Sequence, residues 1–224
     1  MDGGTNLDYI WSLRNIRIQS IAHEYERPPI LTPLLTLLTR ADAMGLLAGK
    51  PISELTPATL RTVLNAFQAL GLIGAHRPQL ELLLNLPASG EVTAAAASAL
   101  SDLLAVVEES PAPRKEWSAM RKVFGDDELA RLTGISPSSL KRYAKNDRPT
   151  PDEIADRLHW LAMVVADLSG SYNEMGIRRW FERPRTSLEG KTPRQLLGAE
   201  WTAATPSARR VRELAESLTA GGAT

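Results

Sequence analysis

Apolar residues recur at helical spacing through most of the chain. Residues 7–25, 33–47, 57–72, 91–109, 150–168 and 206–218 each place apolar side chains on one broad face, which predicts amphipathic helices. Strand signals are nearly absent, because apolar and polar residues show no sustained alternation and no Asn-Gly or Asp-Gly hairpin turn occurs. The short apolar run 79–86 is compatible with a helical turn or a lone strand. The predicted fold class is all-α.

Ser-Pro and Thr-Pro pairs mark the expected helix starts. A serine or threonine side chain can cap a helix, and proline suits the first helical position because the N–H it lacks would be unpaired there. The pairs are Thr32-Pro33, Thr56-Pro57, Ser136-Pro137, Thr150-Pro151, Thr192-Pro193 and Thr205-Pro206. Two extend into capping boxes, Thr150–Glu153 and Thr192–Gln195. Pro28 and Pro29 are instead expected to end the first helix, since proline does not continue a helix interior.

Residues 126–148 have the pattern of a helix-turn-helix. Ala130 is small enough for two helices to cross closely, and Gly134 suits a tight turn that needs a positive φ. Ser136 and Pro137 then open a second helix, whose Leu140 and Tyr143 are expected to face inward with Ile135. The same pattern is compatible with a structural αα-hairpin that carries a solvated basic face.

The outward positions of this segment are polar and cationic, as on helices that enter a DNA major groove. We therefore predict a sequence-specific regulator that binds double-stranded DNA as a homodimer through residues 136–145. Lys141 and Arg142 are expected to contact bases or phosphates, while Lys145 and Arg148 hold the backbone. The complete predicted DNA-binding set is Ser136, Ser138, Ser139, Lys141, Arg142, Lys145 and Arg148.

The distribution of charge favours the same hypothesis. The net charge is zero, but residues 114–150 hold nine Lys/Arg and five Asp/Glu, a local charge of +4. Residues 1–113 carry −4, residues 151–175 carry −4 and residues 176–224 carry +4. Attraction to phosphate depends on the local charge, so the helix-turn-helix lies in a favourable block.

The prolines of Ser110–Pro113 mark the predicted domain boundary, where the composition also changes from acidic to basic. Residues 1–113 are expected to form an N-terminal helical domain, residues 114–170 the helix-turn-helix domain, and residues 171–224 a small helical domain. Residues 51–73 suggest a short helix, a turn and a longer helix. This arrangement suits either the start of a winged helix or a plain packing or dimerisation unit.

The second half of the chain resembles the Xre/MbcA/ParS antitoxin family. The resemblance rests on LARLTGISPSSLKRY, RLHWLAMVVADL, GIRRWFERPRTSLEGKTPRQLL and RRVRELAESL. Its most specific part is Trp180, then Pro184, then the Leu188-Glu-Gly-Lys-Thr-Pro193 run and the Leu196-Leu197 pair. The first 113 residues have no counterpart in that pattern.

Membership of this family would imply DNA binding as a dimer or higher oligomer, and neutralisation of a RES-type toxin through the C-terminal domain. An antitoxin or adaptor whose DNA binding is secondary is therefore the alternative function. Candidate partner-binding residues are Trp180, Arg209, Arg210 and Arg212. For Trp180, a role in defining the fold is the alternative interpretation.

The sequence offers no support for an enzyme, a metal site or a cofactor. Cysteine is absent, and His23, His76 and His159 are far apart without ligand spacing. His159 is expected to be a packing or surface residue. A signal peptide and an apolar run of membrane-spanning length are both absent, so a cytoplasmic protein without a membrane partner is expected.

Overall fold

A computed structural model describes residues 15–47, 49, 51–74, 77–86 and 94–221. Within these ranges the chain forms ten α-helices and two short strands, so the prediction of a mainly helical protein is confirmed. The strands are β1 (Ile16–Ile21) and β2 (Ile52–Leu55). The helices are α1 (Pro28–Ala43), α2 (Pro57–Gln68), α3 (Arg77–Leu84), α4 (Ala94–Glu108), α5 (Pro113–Thr133), α6 (Pro137–Ala144), α7 (Asp152–Leu168), α8 (Glu174–Glu182), α9 (Pro193–Leu197) and α10 (Pro206–Gly221). Single 3-10 turns lie at His23–Tyr25 and Thr186–Leu188.

The two strands are the main departure from the predicted helices. β1 pairs with β2 in parallel, with Ile16 opposite Ile52 and Ile21 opposite Leu55. The opening helix predicted over 7–25 is therefore wrong from residue 15 onward, and residues 7–14 lie outside the described part. The short helix expected before α2 is also wrong, because β2 occupies that place. Pairing with a partner distant in sequence overrides weak local helix propensity.

The first helix also begins earlier than expected. Pro28 and Pro29 open α1 instead of ending a preceding helix, and Pro33 lies inside α1. Thr32 is thus a helical residue and not a cap. Burial of Ile30 together with Leu34 explains the earlier start, because it extends the apolar face of the helix by one turn.

Most of the remaining caps form as predicted. The side chains of Thr56, Ser136 and Thr192 each accept a backbone N–H, and Thr192 with Gln195 forms the full capping box. Thr205 accepts from the Ala208 amide at 3.4 Å. Thr150 does not cap α7, whose N-cap is Pro151, so its capping box is wrong. The Thr150 hydroxyl instead accepts a hydrogen bond from Trp117 Nε1 at 3.0 Å.

Helix α7 occupies the centre of the fold. It packs against α1, α5 and α10, and thirteen of its seventeen residues are buried, so it is enclosed on nearly all sides instead of on the one predicted face. Helix α4, in which Ala96 and Ala99 are buried, packs on α1 and α3. Helices from both sides of residue 113 therefore share one core, while the boundary there stays a prediction.

Candidate nucleic-acid interface

The two helices and the turn predicted over 126–148 are present. Gly125, with φ 76° and ψ 170°, breaks α5 so that residues 126–133 form a separate helical segment. Gly134 follows with φ 72°, and α6 begins at Pro137. Arg178 of α8 donates to the Lys122 carbonyl at 2.8 Å and also to the Val123 carbonyl, which satisfies backbone acceptors just before the break. The break lets residues 126–133 and α6 pack together as a helix-turn-helix.

Gly134 has two reasons to be glycine. The first reason is the predicted turn. The Gly134 amide donates to the Arg131 carbonyl at 3.2 Å, and the Ile135 amide donates to the Ala130 carbonyl at 2.9 Å. A helix that ends in this way needs a residue in the left-handed conformation. The second is a close approach. A Cβ at residue 134 would lie 2.6 Å from Arg157 Nη1 and 2.8 Å from the Ala199 carbonyl oxygen.

Two side chains from distant positions hold the turn, and sequence patterns did not reveal either. Arg157 of α7 donates from Nη1 to the Thr133 carbonyl at 3.1 Å and forms an ion pair with Glu153. Trp201, in the loop between α9 and α10, donates from Nε1 to the Leu132 carbonyl at 2.8 Å. Both occupy the C-terminal end of the 126–133 segment, where carbonyl groups lack helical partners.

The inner face of α6 is as predicted. Leu140 and Tyr143 are buried, and Ile135 is partly buried against the same core. The Tyr143 ring stacks on Trp117 of α5, with ring centroids 6.2 Å apart and planes at 21°. Ala130 is buried, consistent with the predicted close crossing of the two helices. This packing sets which side of α6 faces outward.

The outward side carries the predicted cations. We define the cationic face as Lys141, Arg142, Lys145 and Arg148, all of which are exposed. Within the described part of the chain, none of the four forms an ion pair, so their charges are available to an anionic partner. After α6, Asn146 adopts φ 59° and the Asp147 amide donates to the Arg142 carbonyl at 3.0 Å, which ends the helix beside these cations.

The three predicted serines form one hydrogen-bonded group. Ser136 Oγ accepts from the Ser139 amide at 3.1 Å and lies 2.9 Å from Ser138 Oγ and 3.0 Å from Ser139 Oγ. Ser136 and Ser138 are exposed and Ser139 is partly exposed. Ser136 is thus engaged as the cap of α6, and the other two hydroxyls lie at its outer N-terminal end.

A neighbouring carboxylate is already neutralised by an arginine. Arg121 donates to the two carboxylate oxygens of Asp126 at 2.7 and 3.0 Å. This hydrogen bonding holds the pKa of Asp126 below its usual value, with smaller contributions from the charges of Arg121 and Lys141. Asp126 therefore stays ionised, and its pairing with Arg121 limits how far it offsets the cationic face.

Of the predicted partner-binding residues, Trp180 lies on α8, whereas Arg209, Arg210 and Arg212 lie together on α10. Trp180 is 1% exposed and lies beneath the Arg185 guanidinium, 5.6 Å from its ring centroid, which supports the fold-defining alternative. Arg210 pairs with Glu189 at 2.9 Å and Arg212 with Asp167 at 2.6 Å. Arg209 is exposed on α10. Of the four, Arg209 is the most accessible.

His23 and His159 lie apart. His23 is exposed beside Glu26, whereas His159 is buried against Glu116, at 2.6 Å, so the packing alternative for His159 is confirmed. Among the described residues no group of three or more His, Asp or Glu side chains could hold a metal ion. His76 lies outside those residues. No described helix combines the length and apolar character needed to cross a membrane.

Comparison of the chain with family models, curated proteins and solved structures found no match. The resemblance to the Xre/MbcA/ParS family therefore stays a prediction from the residues that carry it.

Proposed function

We propose that the protein is a sequence-specific DNA-binding regulator in which α6 enters the major groove. The observation that carries this proposal is the arrangement of α6 and the residues that follow it. The inner face of α6 packs on α5, while the cationic face presents Lys141 and Arg142 from α6 and Lys145 and Arg148 from just after it. All four are exposed and form no ion pair within the described residues. Phosphate contacts by such residues supply much of the affinity of DNA-binding proteins, and side chains at the base edges supply specificity.

Each residue of the face has a proposed role. Arg142 and Lys141 lie in the last turns of α6 and contact bases or phosphates. Ser138 and Ser139, at the N-terminal end of α6, supply short hydrogen bonds to the DNA, as recognition helices do from their first residues. Lys145 and Arg148 follow the helix and hold the DNA backbone.

We further propose that the protein acts as a homodimer on a palindromic site. One short recognition helix buries little surface, whereas two copies about one DNA turn apart bind tightly and read two half-sites. The contact between copies is assigned to the N-terminal helices, where Leu82 of α3 is 46% exposed.

The proposal is tested with a fluorescently labelled fragment of the DNA upstream of the protein's own gene, titrated at several salt concentrations alongside unrelated DNA of equal length. We expect at least about tenfold preference for the upstream fragment, and a plot of log affinity against log salt with a slope of about −4 or steeper. Equal and weak binding to both fragments contradicts the proposal and assigns residues 126–148 to the scaffold.

A second candidate function is neutralisation of a RES-type toxin by the C-terminal helices. Its support is the resemblance of the segment that begins at Gly176 to the toxin-binding domain. Met175 of α8, which directly precedes that segment, is 61% exposed and would be accessible to a partner. Co-expression with a RES-like protein encoded by a neighbouring gene tests it. A stable complex that Met175→Glu disrupts and Arg142→Ala leaves intact supports this function, and absence of a complex contradicts it.

A further inference from the structure

A cavity of about 290 Å³ opens between α4, α7, α10 and the loop that precedes α10. Its size is near the lower end for small-molecule sites. Two of its lining residues, Arg157 and Trp160, also belong to the packing that supports the turn at Gly134. The cavity is separate from the cationic face, none of whose residues lines it.

The charges that line the cavity select for a cation. Four carboxylates, two arginines and His159 line it, which leaves a net charge of −2 with His159 neutral and −1 with His159 protonated. Arg157 is paired with Glu153, and Arg212 with Glu108 at 2.9 Å. Glu109 and Asp156 form no ion pair within the described residues and are exposed. Two carboxylates are thus free to receive a positively charged ligand.

The buried wall of the cavity is apolar and aromatic. Trp160 and Met163, one helical turn apart on α7, both line it and are both buried. An indole ring attracts a cation over its face, and both side chains offer dispersion contacts to a hydrocarbon group. Together with the free carboxylates, they suit an organic ammonium ion that carries a small aromatic or aliphatic body.

The cavity is connected to the helix-turn-helix by direct contacts. Trp160 packs edge-on against Trp201 with ring centroids 4.7 Å apart, and Trp201 donates to the Leu132 carbonyl. Arg157 reaches from the cavity to the Thr133 carbonyl. A ligand whose apolar body lies against Trp160 therefore contacts the side chain that packs on Trp201. It also lies in the same cavity as Arg157, the second side chain that holds the turn before α6.

We propose that this cavity is an effector site for a small organic ammonium ion, and that its occupancy stabilises the turn that positions α6. The site itself is independent of what α6 binds, whereas the regulatory consequence rests on the proposed DNA-binding function. A ligand can change the affinity of α6 for DNA only if it binds one arrangement of the turn more tightly than another. The size of the change is then limited by the difference between the ligand's two affinities.

Binding is tested by calorimetric titration of the full chain with phenethylammonium and, as the uncharged matched probe, 2-phenylethanol. We expect a dissociation constant of about 1 mM or tighter for the ammonium ion and at least about tenfold weaker binding of the alcohol. The variant with both Glu109→Gln and Asp156→Asn should lose at least about tenfold in affinity for the ammonium ion. Asp102→Asn, an exposed carboxylate on α4 outside the cavity, should leave it unchanged.

Coupling is tested by amide hydrogen exchange, which does not depend on DNA. Saturating phenethylammonium should slow exchange in residues 131–137 of the wild type at least about threefold and leave the double variant unaffected. Equal affinity for the two probes, no binding of either, or wild-type affinity in the double variant overturns the site. Binding without any change in exchange overturns the coupling. Equal and weak binding of the protein to the upstream and unrelated DNA fragments overturns the proposed DNA-binding function and leaves the effector site standing.

Discussion

The guanidinium of Arg157 occupies the space beside Gly134 that the side chain of any other residue would need. Nη1 of Arg157 lies 2.6 Å from the position of a Cβ at residue 134, and the same atom donates to the Thr133 carbonyl at 3.1 Å. Helix α7 thus reaches the turn of the helix-turn-helix directly. The orientation of α6 depends on this contact as well as on the turn's own residues.

Gly134→Ala should therefore destabilise the protein by about 2–4 kcal/mol, since it adds a left-handed backbone penalty to a steric clash. The matched control is Gly190→Ala, because Gly190 has a similar φ of 77° but no neighbouring atom within 4 Å of the place where a Cβ would lie. The control should lose only about 1–2 kcal/mol. Urea unfolding of both variants measures the difference, and equal losses would show that Arg157 and the Ala199 backbone both move aside without penalty.

Trp201→Phe should destabilise the protein more than Trp180→Phe. Both changes remove similar volume from buried positions, but only Trp201 donates a hydrogen bond, to the Leu132 carbonyl at 2.8 Å. Among the described residues, Trp180 Nε1 has no hydrogen-bond partner. The unpaired Leu132 carbonyl should cost Trp201→Phe about 1–3 kcal/mol beyond the loss shared by both variants. Thermal and urea unfolding give the comparison, which a larger loss for Trp180→Phe would contradict.

Arg40→Met should destabilise the protein by about 3 kcal/mol or more, because it removes one of the two arginines, Arg40 and Arg212, that neutralise the buried carboxylate of Asp167. Arg40 is 5% exposed, contacts Asp167 at 2.7 Å and donates to the Met163 carbonyl at 2.7 Å. The control is Arg77→Met, which breaks an exposed pair with Glu81 and should change stability by less than about 0.5 kcal/mol. Chemical unfolding measures both changes in stability. A loss below about 1 kcal/mol for Arg40→Met, which is what an exposed ion pair contributes, would contradict the prediction.

Stability should fall as pH rises above about 6.5, because of the buried pair His159 and Glu116. Burial lowers the pKa of His159, but the hydrogen bond to Glu116 and the charge of that residue raise it by more. The net effect is a pKa above the ordinary 6.5. Burial also raises the pKa of Glu116, although His159 opposes the rise. The folded pair thus keeps a proton that the unfolded histidine releases above pH 6.5.

The free energy of unfolding, measured from about pH 5 to about pH 9, should decline between 6.5 and the folded pKa of His159 by up to about 1.4 kcal/mol per pH unit. His159→Gln removes the titrating group while keeping a polar side chain, so its stability should depend less on pH in that window. Parallel pH profiles for the two proteins would exclude the pair as the cause.

Arg142→Ala should weaken binding to the preferred DNA by about 1–3 kcal/mol and relax specificity at one base pair, if Arg142 contacts a base. Arg179→Ala removes an exposed arginine of α8 outside the cationic face and should have little effect. Binding to a set of single-base variants of the site provides the measurement. An equal loss on every sequence would assign Arg142 to a phosphate, and no loss would remove it from the interface.

Local features of this protein could be predicted from its sequence. The cap at Ser136, the positive φ of Gly134, the capping box of Thr192 with Gln195 and the inward Leu140 depend on residues within a few positions of one another. Such interactions are the same wherever the segment is placed. They determined four helix starts, at Thr56, Ser136, Thr192 and Thr205, together with the turn of the candidate interface and which side of α6 carries the cations.

Contacts between distant segments could not be predicted in this way. β1 departs from its expected helix because β2 pairs with it, and Thr150 leaves its expected cap because Trp117 donates to its hydroxyl. The Arg157 and Trp201 contacts to the turn likewise span 24 and 69 positions. Local sequence determined the helix-turn-helix, whereas tertiary packing decided what supports it, because the energy of a long-range contact depends on which surfaces the fold brings together.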